Sequence, residues 1–99
     1  MQELITRELG EMLPRLYATE DEEVPTALAH LYAVWTDWDW YVVEYDPVER
    51  VAFGLVKGFE TEWGYFSVAE MEDMNRGAGF EVIERDEHFR PQPASDFER

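Results

Sequence analysis

The sequence predicts an α+β domain: an antiparallel meander of four or five strands, a short helix near the N-terminus and a second helix after the fourth strand. Residues 50–59 alternate Val51, Phe53, Leu55, Lys57 and Phe59 against Ala52, Gly54, Val56 and Gly58, a period of two that marks a strand. Ser67-Val68-Ala69-Glu70 is a capping-box pattern, which opens a helix. Of the 99 residues 45% are apolar and 15% aromatic, enough to offset the entropy of ordering a chain whose length suits one domain, taken as 1–99.

The first helix is expected from about Thr6 to Leu13, with Thr6 as its cap and Leu9, Met12 and Leu13 on one face. Pro14 falls at or beyond its end. Glu3 with Arg7 and Glu11 with Arg15 stand four apart, the spacing of helix-surface ion pairs. Thr19-Glu20-Asp21-Glu22-Glu23-Val24-Pro25 then reads as an exposed acidic loop closed by a proline. The largely apolar run from Thr26 to Trp35 is expected as a strand buried on both faces, although its Ala and Leu content leaves a helix open.

Tyr41-Val42-Val43-Glu44-Tyr45-Asp46, rich in β-branched and aromatic residues, gives the second strand, and Asp46-Pro47 turns it. The alternating segment is the third, its small face allowing a close neighbour or a bend. Trp63-Gly64-Tyr65-Phe66 is the fourth. The helix from Val68 to about Asn75 follows, with Phe66 and Met71 at the staple positions and Gly77 or Gly79 as its left-handed exit. Phe80 to Arg85 suits a last short strand, and residues 91–99, opened by Pro91-Gln92-Pro93, are expected to form a loosely held tail.

Charge is the feature that folding explains least. Twenty-three Asp and Glu against eight Lys and Arg give a formal −15. Direct binding to nucleic acid is disfavoured, because affinity there comes from cations displacing counterions. No apolar stretch approaches the ~20 residues that span a bilayer, and acidic surfaces are repelled by anionic lipid, so no membrane role is expected. Without cysteine there are no disulfides, thiolate nucleophiles or thiolate zinc sites, which together with an opening that lacks an export pattern points to the cytoplasm.

The carboxylates cluster at Glu20, Asp21, Glu22 and Glu23, at Asp37 and Asp39, at Glu44 and Asp46, and at Glu60 and Glu62. If the hairpin ends converge, several share one sheet edge and present a basic partner with a surface of duplex-like charge density. The simpler reading is a surface kept soluble by self-repulsion. Trp35, Trp38, Trp40, Tyr41, Tyr45, Trp63 and Tyr65 resemble a base-stacking platform in residue type, but platforms sit among cations and this set holds aspartates. Core packing accounts for most of them, with one or two rings near Trp38 and Trp40 left as interface anchors.

Glu84-Arg85-Asp86-Glu87-His88 is the best place for chemistry, since a histidine flanked by carboxylates can act as a base or a metal ligand. No metal-ligand spacing, phosphate loop or nucleophile elbow accompanies it. His30 and His88 are therefore read as structural, Arg85 as the centre of an edge salt bridge, and no cofactor is expected.

Four segments in order, Leu13-Pro14-Arg15-Leu16-Tyr17-Ala18-Thr19-Glu20, Trp40-Tyr41-Val42-Val43-Glu44, Gly64-Tyr65-Phe66-Ser67-Val68-Ala69-Glu70-Met71 and Glu84-Arg85-Asp86-Glu87-His88-Phe89-Arg90-Pro91, carry a resemblance across nearly the whole chain. It resembles a small bacterial domain-of-unknown-function family carried largely on plasmids and mobile elements. The resemblance implies context and no catalytic residue: mobile elements often encode inhibitors of host defence, and the charge here is similar to that of acidic inhibitors of restriction or CRISPR machinery. The expected function is thus a non-catalytic acidic protein bound to a basic nucleic-acid-binding protein. The alternatives are a metal-dependent hydrolase or small-ligand binder using Glu84, Asp86 and His88, and an adaptor docking through Trp38 or Trp40.

Overall fold

The computed structural model describes residues 2–98. In chain order the elements are α1 (Arg7–Met12), β1 (Thr26–Ala27), β2 (Ala29–Ala33), β3 (Asp39–Asp46), β4 (Val51–Lys57), β5 (Thr61–Ser67), α2 (Val68–Ala78), β6 (Ile83–Arg85), β7 (Gln92–Pro93) and a 3₁₀ turn (Ala94–Phe97). Strands β2 to β5 form a meander, and β6 returns beside β2, giving the order β5-β4-β3-β2-β6 with antiparallel neighbours. The expected α+β architecture is the observed one.

The run beginning at Thr26 is strand, not helix. Ala29 and Leu31 of β2, two apart, are buried in the same core, and a period of two overrides the helix preference of Ala and Leu. Burial is one-sided, however: His30, Tyr32 and Ala33 are only partly covered. Within α1 the cap is as expected, with the Leu9 amide donating to the Thr6 hydroxyl at 3.2 Å. Met12 departs from expectation and is 80% exposed, while Leu13 is buried. Pro14 disfavours helical geometry at Leu13, which is extended and so reaches the core from outside the helix. For the same reason Arg15 cannot meet Glu11. It donates to the carbonyls of Gly10 and Leu13, and Glu11 pairs with Arg7 at 3.2 Å.

Helix α2 starts as its capping box requires, the Glu70 amide donating to the Ser67 hydroxyl at 3.1 Å, and ends on Gly79 at φ 80°. It runs three residues beyond the expected Asn75 because Gly79, not Gly77, takes the left-handed position. Asn75 is buried and fastens the helix to β6: its amide donates to the Ile83 carbonyl at 2.9 Å and its carbonyl accepts from the Val82 and Ile83 amides.

The sheet is covered on both faces. One core joins Leu4, Ile5 and Leu13 of the N-terminal segment and Val68 and Met71 of α2 to Leu31, Val42 and Ala52; the other joins Ala27, Tyr41, Val43, Leu55 and Ala94. A bulge between Val42 and Glu44 shifts the register of β3 against β4.

Residues 91–99, expected as a loose tail, are docked as far as they are described. β7 pairs with β1, Ala94 is fully buried, and Phe97 stacks on Tyr41 with ring centroids 3.9 Å apart. Pro93, a disorder signal in composition, suits a two-residue edge strand, and Phe97 covers sheet that would otherwise be bare. Residue 99 of that segment lies outside the described residues. Among these, no helix is long and apolar enough to cross a membrane.

Candidate binding cleft

A cleft of about 500 Å³ opens on the half of the sheet face that the C-terminal segment leaves uncovered. Its floor follows from strand register. Phe53 of β4 is opposite Tyr65 of β5, and Leu55 is opposite Trp63, so Phe53, Trp63 and Tyr65 share one face. Phe53 contacts Trp63 and Tyr65 with ring centroids at 5.8 and 4.9 Å, and Tyr17 meets Tyr65 at 6.4 Å. The four rings form a continuous strip. Glu20, Glu22, Glu23, Glu44, Ser95 and Glu98 complete the lining.

Tyr17 reaches this strip because Glu44 holds the loop. The Glu44 carboxylate is 3% exposed and accepts from the Tyr17 amide at 2.7 Å, the Thr19 amide at 2.9 Å and the Thr19 hydroxyl. Burial pushes its carboxyl up, but the Thr19 hydroxyl and the two amides outweigh that and leave it below the ordinary carboxylate value. Tyr17 sits at φ 73°, a conformation uncommon for a non-glycine residue, with its side chain largely exposed. The Tyr65 phenol is pushed up, first by its hydrogen bond with Tyr17, then by slight desolvation and the charges of Tyr17, Glu44 and Glu20. The carboxylates of Glu20 and Glu44 line the same cleft as the aromatic floor. Ring faces beside carboxylates are chemically suited to a cation, and among the described residues no Lys or Arg lines the cleft.

The carboxylates singled out in the sequence are dispersed. Glu20, Glu22 and Glu23 line the cleft, and Asp21 is exposed in the same loop. Glu44 has to be removed from the partner-facing set, since it is buried and spent on the loop. Asp46 accepts from the Val48 and Glu49 amides and organises the β3–β4 turn. At the opposite sheet end the two hairpin tips do converge, Trp38 meeting Phe59 edge-on at 5.4 Å, so Asp37, Asp39, Glu60 and Glu62 belong to the same end of the sheet, where Asp39 is opposite Lys57. Asp39 bonds His30 at 2.7 Å. The acids thus occupy the cleft rim and both sheet ends, not one edge.

Residues 84–88 do not assemble a catalytic group. Glu84 accepts from the Tyr32 hydroxyl at 3.0 Å, Asp86 lies 3.5 Å from His30, and His88 is exposed, with only its backbone amide donating to Asp86. His30, stacked on Tyr41 at 4.6 Å, is the histidine that the carboxylates flank. Arg85 forms no edge salt bridge with its neighbours; it donates to the carbonyls of Glu3 and Leu4, both at 2.8 Å. Among the described residues no group of three or more His, Asp or Glu could hold a metal. The tryptophan anchors also move. Trp38 lies over Gly58 and Trp40 packs against the core, while Trp35 and Phe59 are 74% and 95% exposed.

The site residues that sequence reasoning missed are Tyr17, Phe53 and Glu98. Trp63 and Tyr65 were legible as aromatic and two apart, but their exposure depends on where the C-terminal segment stops. Residues 4–97 match the model of a family described as protein of unknown function, DUF2958. No curated protein and no solved structure matches the chain.

Proposed function

The chain belongs to the DUF2958 family of proteins of unknown function, and from that premise and its geometry we propose that it is a non-catalytic binding protein whose partner is a basic protein surface. One observation carries this reading: among the described residues five arginines are engaged by the molecule's own groups, while most carboxylates face outward. Arg7 and Arg76 pair with Glu11 and Asp73 on their own helices, Arg50 pairs with Glu72, and Arg15 and Arg85 are spent on carbonyls. The negative surface is therefore little interrupted.

The finer reading is mimicry of nucleic acid. The molecule measures 40 × 29 × 22 Å. Duplex DNA carries about 24 charges over such a 40 Å axis, against a formal −15 here. The two are of the same order. The partner is then a basic nucleic-acid-binding protein, of the host-defence kind if the chain acts from a mobile element. Steering by such a field makes association fast and salt-dependent.

The test is capture from cell lysate on the purified chain at low and high salt, with DNA as competitor. Retention of a nucleic-acid-binding protein at low salt, released by salt and by DNA, is the expected result; a complex indifferent to both sinks the proposal. A second reading, an adaptor docking through apolar contacts, is favoured by the exposed pair Trp35 and Phe59, and predicts a salt-tolerant complex lost in Trp35→Ala.

A further inference from the structure

Resting on the reading of the chain as a binder of basic protein surfaces, we propose that the cleft floored by Phe53, Trp63 and Tyr65 and walled by Tyr17 receives one arginine side chain from a flexible basic segment of the partner. Single exposed aromatics are ordinary, but here four rings touch in sequence along the floor and wall of a cleft. Trp63 and Tyr65 are 39% and 53% exposed on an edge strand, so the fold gains little from their being aromatic.

Charge selects the occupant. Among the described residues the rim carries carboxylates and no cation. A nucleobase would bring a phosphate that this rim repels, and a second copy of the chain would bring its own formal −15. Between the two basic side chains, the planar guanidinium stacks on rings while its forked donors reach carboxylates. The lysine ammonium is compact and strongly hydrated. The volume of about 500 Å³ lies within the usual range of ligand clefts and holds a guanidinium, its stem and some flanking backbone.

Preorganisation is the third support. Tyr17 is held at φ 73° by the buried Glu44, which fixes a ring on the cleft wall before any ligand arrives. Glu44 lines the cleft too, but its oxygens are engaged by the loop, so in this scheme it is a positioning residue.

The experiment is an NMR titration of the full chain with a blocked Gly-Ser-Arg-Ser-Gly peptide and its lysine and citrulline counterparts. Saturable shifts confined to Tyr17, Trp63, Tyr65 and their neighbours are expected, with arginine about fivefold tighter than lysine and citrulline inactive. Trp63→Ala should weaken the arginine peptide about fivefold, and so should the surface pair Glu20→Gln with Glu23→Gln, which removes no packing. Trp35→Ala, at the far end, should leave it unchanged. Equal affinity for arginine and lysine with shifts spread over the acidic surface overturns the proposal, as does an absence of shifts up to about 20 mM peptide. If the peptide fails to bind while the lysate partner is still captured at low salt, the arginine receptor falls and the wider reading stands. If the peptide binds but no basic protein is captured, the wider reading falls alone.

Discussion

Several single side chains in this molecule hold distant backbone in place. Glu44 is the clearest case: one carboxylate satisfies two amides and a hydroxyl of a loop more than twenty residues away in sequence. Replacing it with Gln puts an NH₂ group against donors that need an acceptor, so Glu44→Gln should destabilise the fold by about 2 kcal/mol, measured by urea unfolding. The pH dependence has a definite sign. The folded carboxyl lies below its ordinary value, so its contribution is fully present above the unfolded value of ~4.3 and is lost as pH falls through the folded one. Acid melts should therefore show wild type losing more stability than Glu44→Gln below about pH 4; parallel curves would contradict the assignment. Asn75 does the same work for β6. Asn75→Leu leaves the Val82 and Ile83 amides unpaired in the core and should cost about 2–3 kcal/mol, against a small effect for the exposed Asn75 neighbour in Met74→Leu.

At the scale of elements, the small face of β4 has a specific use. A Cβ on Gly54 would lie 1.8 Å from the Tyr41 carbonyl oxygen in β3. Backbone sits where a side chain would need to be, so Gly54→Ala must push the two central strands apart, and we expect loss of more than about 3 kcal/mol or failure to fold. A fully stable Gly54→Ala would mean that the β3–β4 spacing is softer than described. The sequence already exposed that strand, because a period of two with small residues on one side has no other reading, and it exposed α2 through Ser67, Glu70 and a downstream glycine. The C-terminal segment was opaque for a physical reason. Two prolines and polar neighbours match the composition of a free tail, and only the three-dimensional gap over Tyr41 shows why Phe97 docks. Removing residues 92–99 should expose Tyr41 and Leu55 and lower the melting temperature, and it should also strip the Glu98 side of the cleft. The cleft was hidden by the same ignorance: Trp63 and Tyr65 read as core until the extent of that cover is known, and the twist at Tyr17 is set by Glu44, far away in sequence.

For the whole molecule the governing quantity is unbalanced charge. With a formal −15 on a body of 12.7 Å radius of gyration, the folded state holds its carboxylates closer together than the unfolded chain does, and their mutual repulsion opposes folding. Only part of that is answered internally: of the ion pairs, Arg50–Glu72 is largely shielded from water, whereas Arg7–Glu11 and Arg76–Asp73 are exposed and contribute little. Such a surface is retained at a cost in stability, which is intelligible if a partner's positive charge removes the repulsion on binding. Ions should imitate that partner. Raising NaCl from about 20 to 500 mM shortens the screening length from roughly 20 Å to about 4 Å, less than the span of the molecule. If self-repulsion amounts to about 1 kcal/mol, the melting temperature should rise by roughly 4–8 °C, and KCl should do the same, since screening does not depend on the cation's identity. A melting temperature that falls with salt would mean that the ion pairs outweigh the repulsion, and the surface would then lose its claim to be held in reserve for a basic partner. A larger effect from the chloride of a guanidinium-like cation at low millimolar concentration, where screening is negligible, would instead point to occupancy of the cleft.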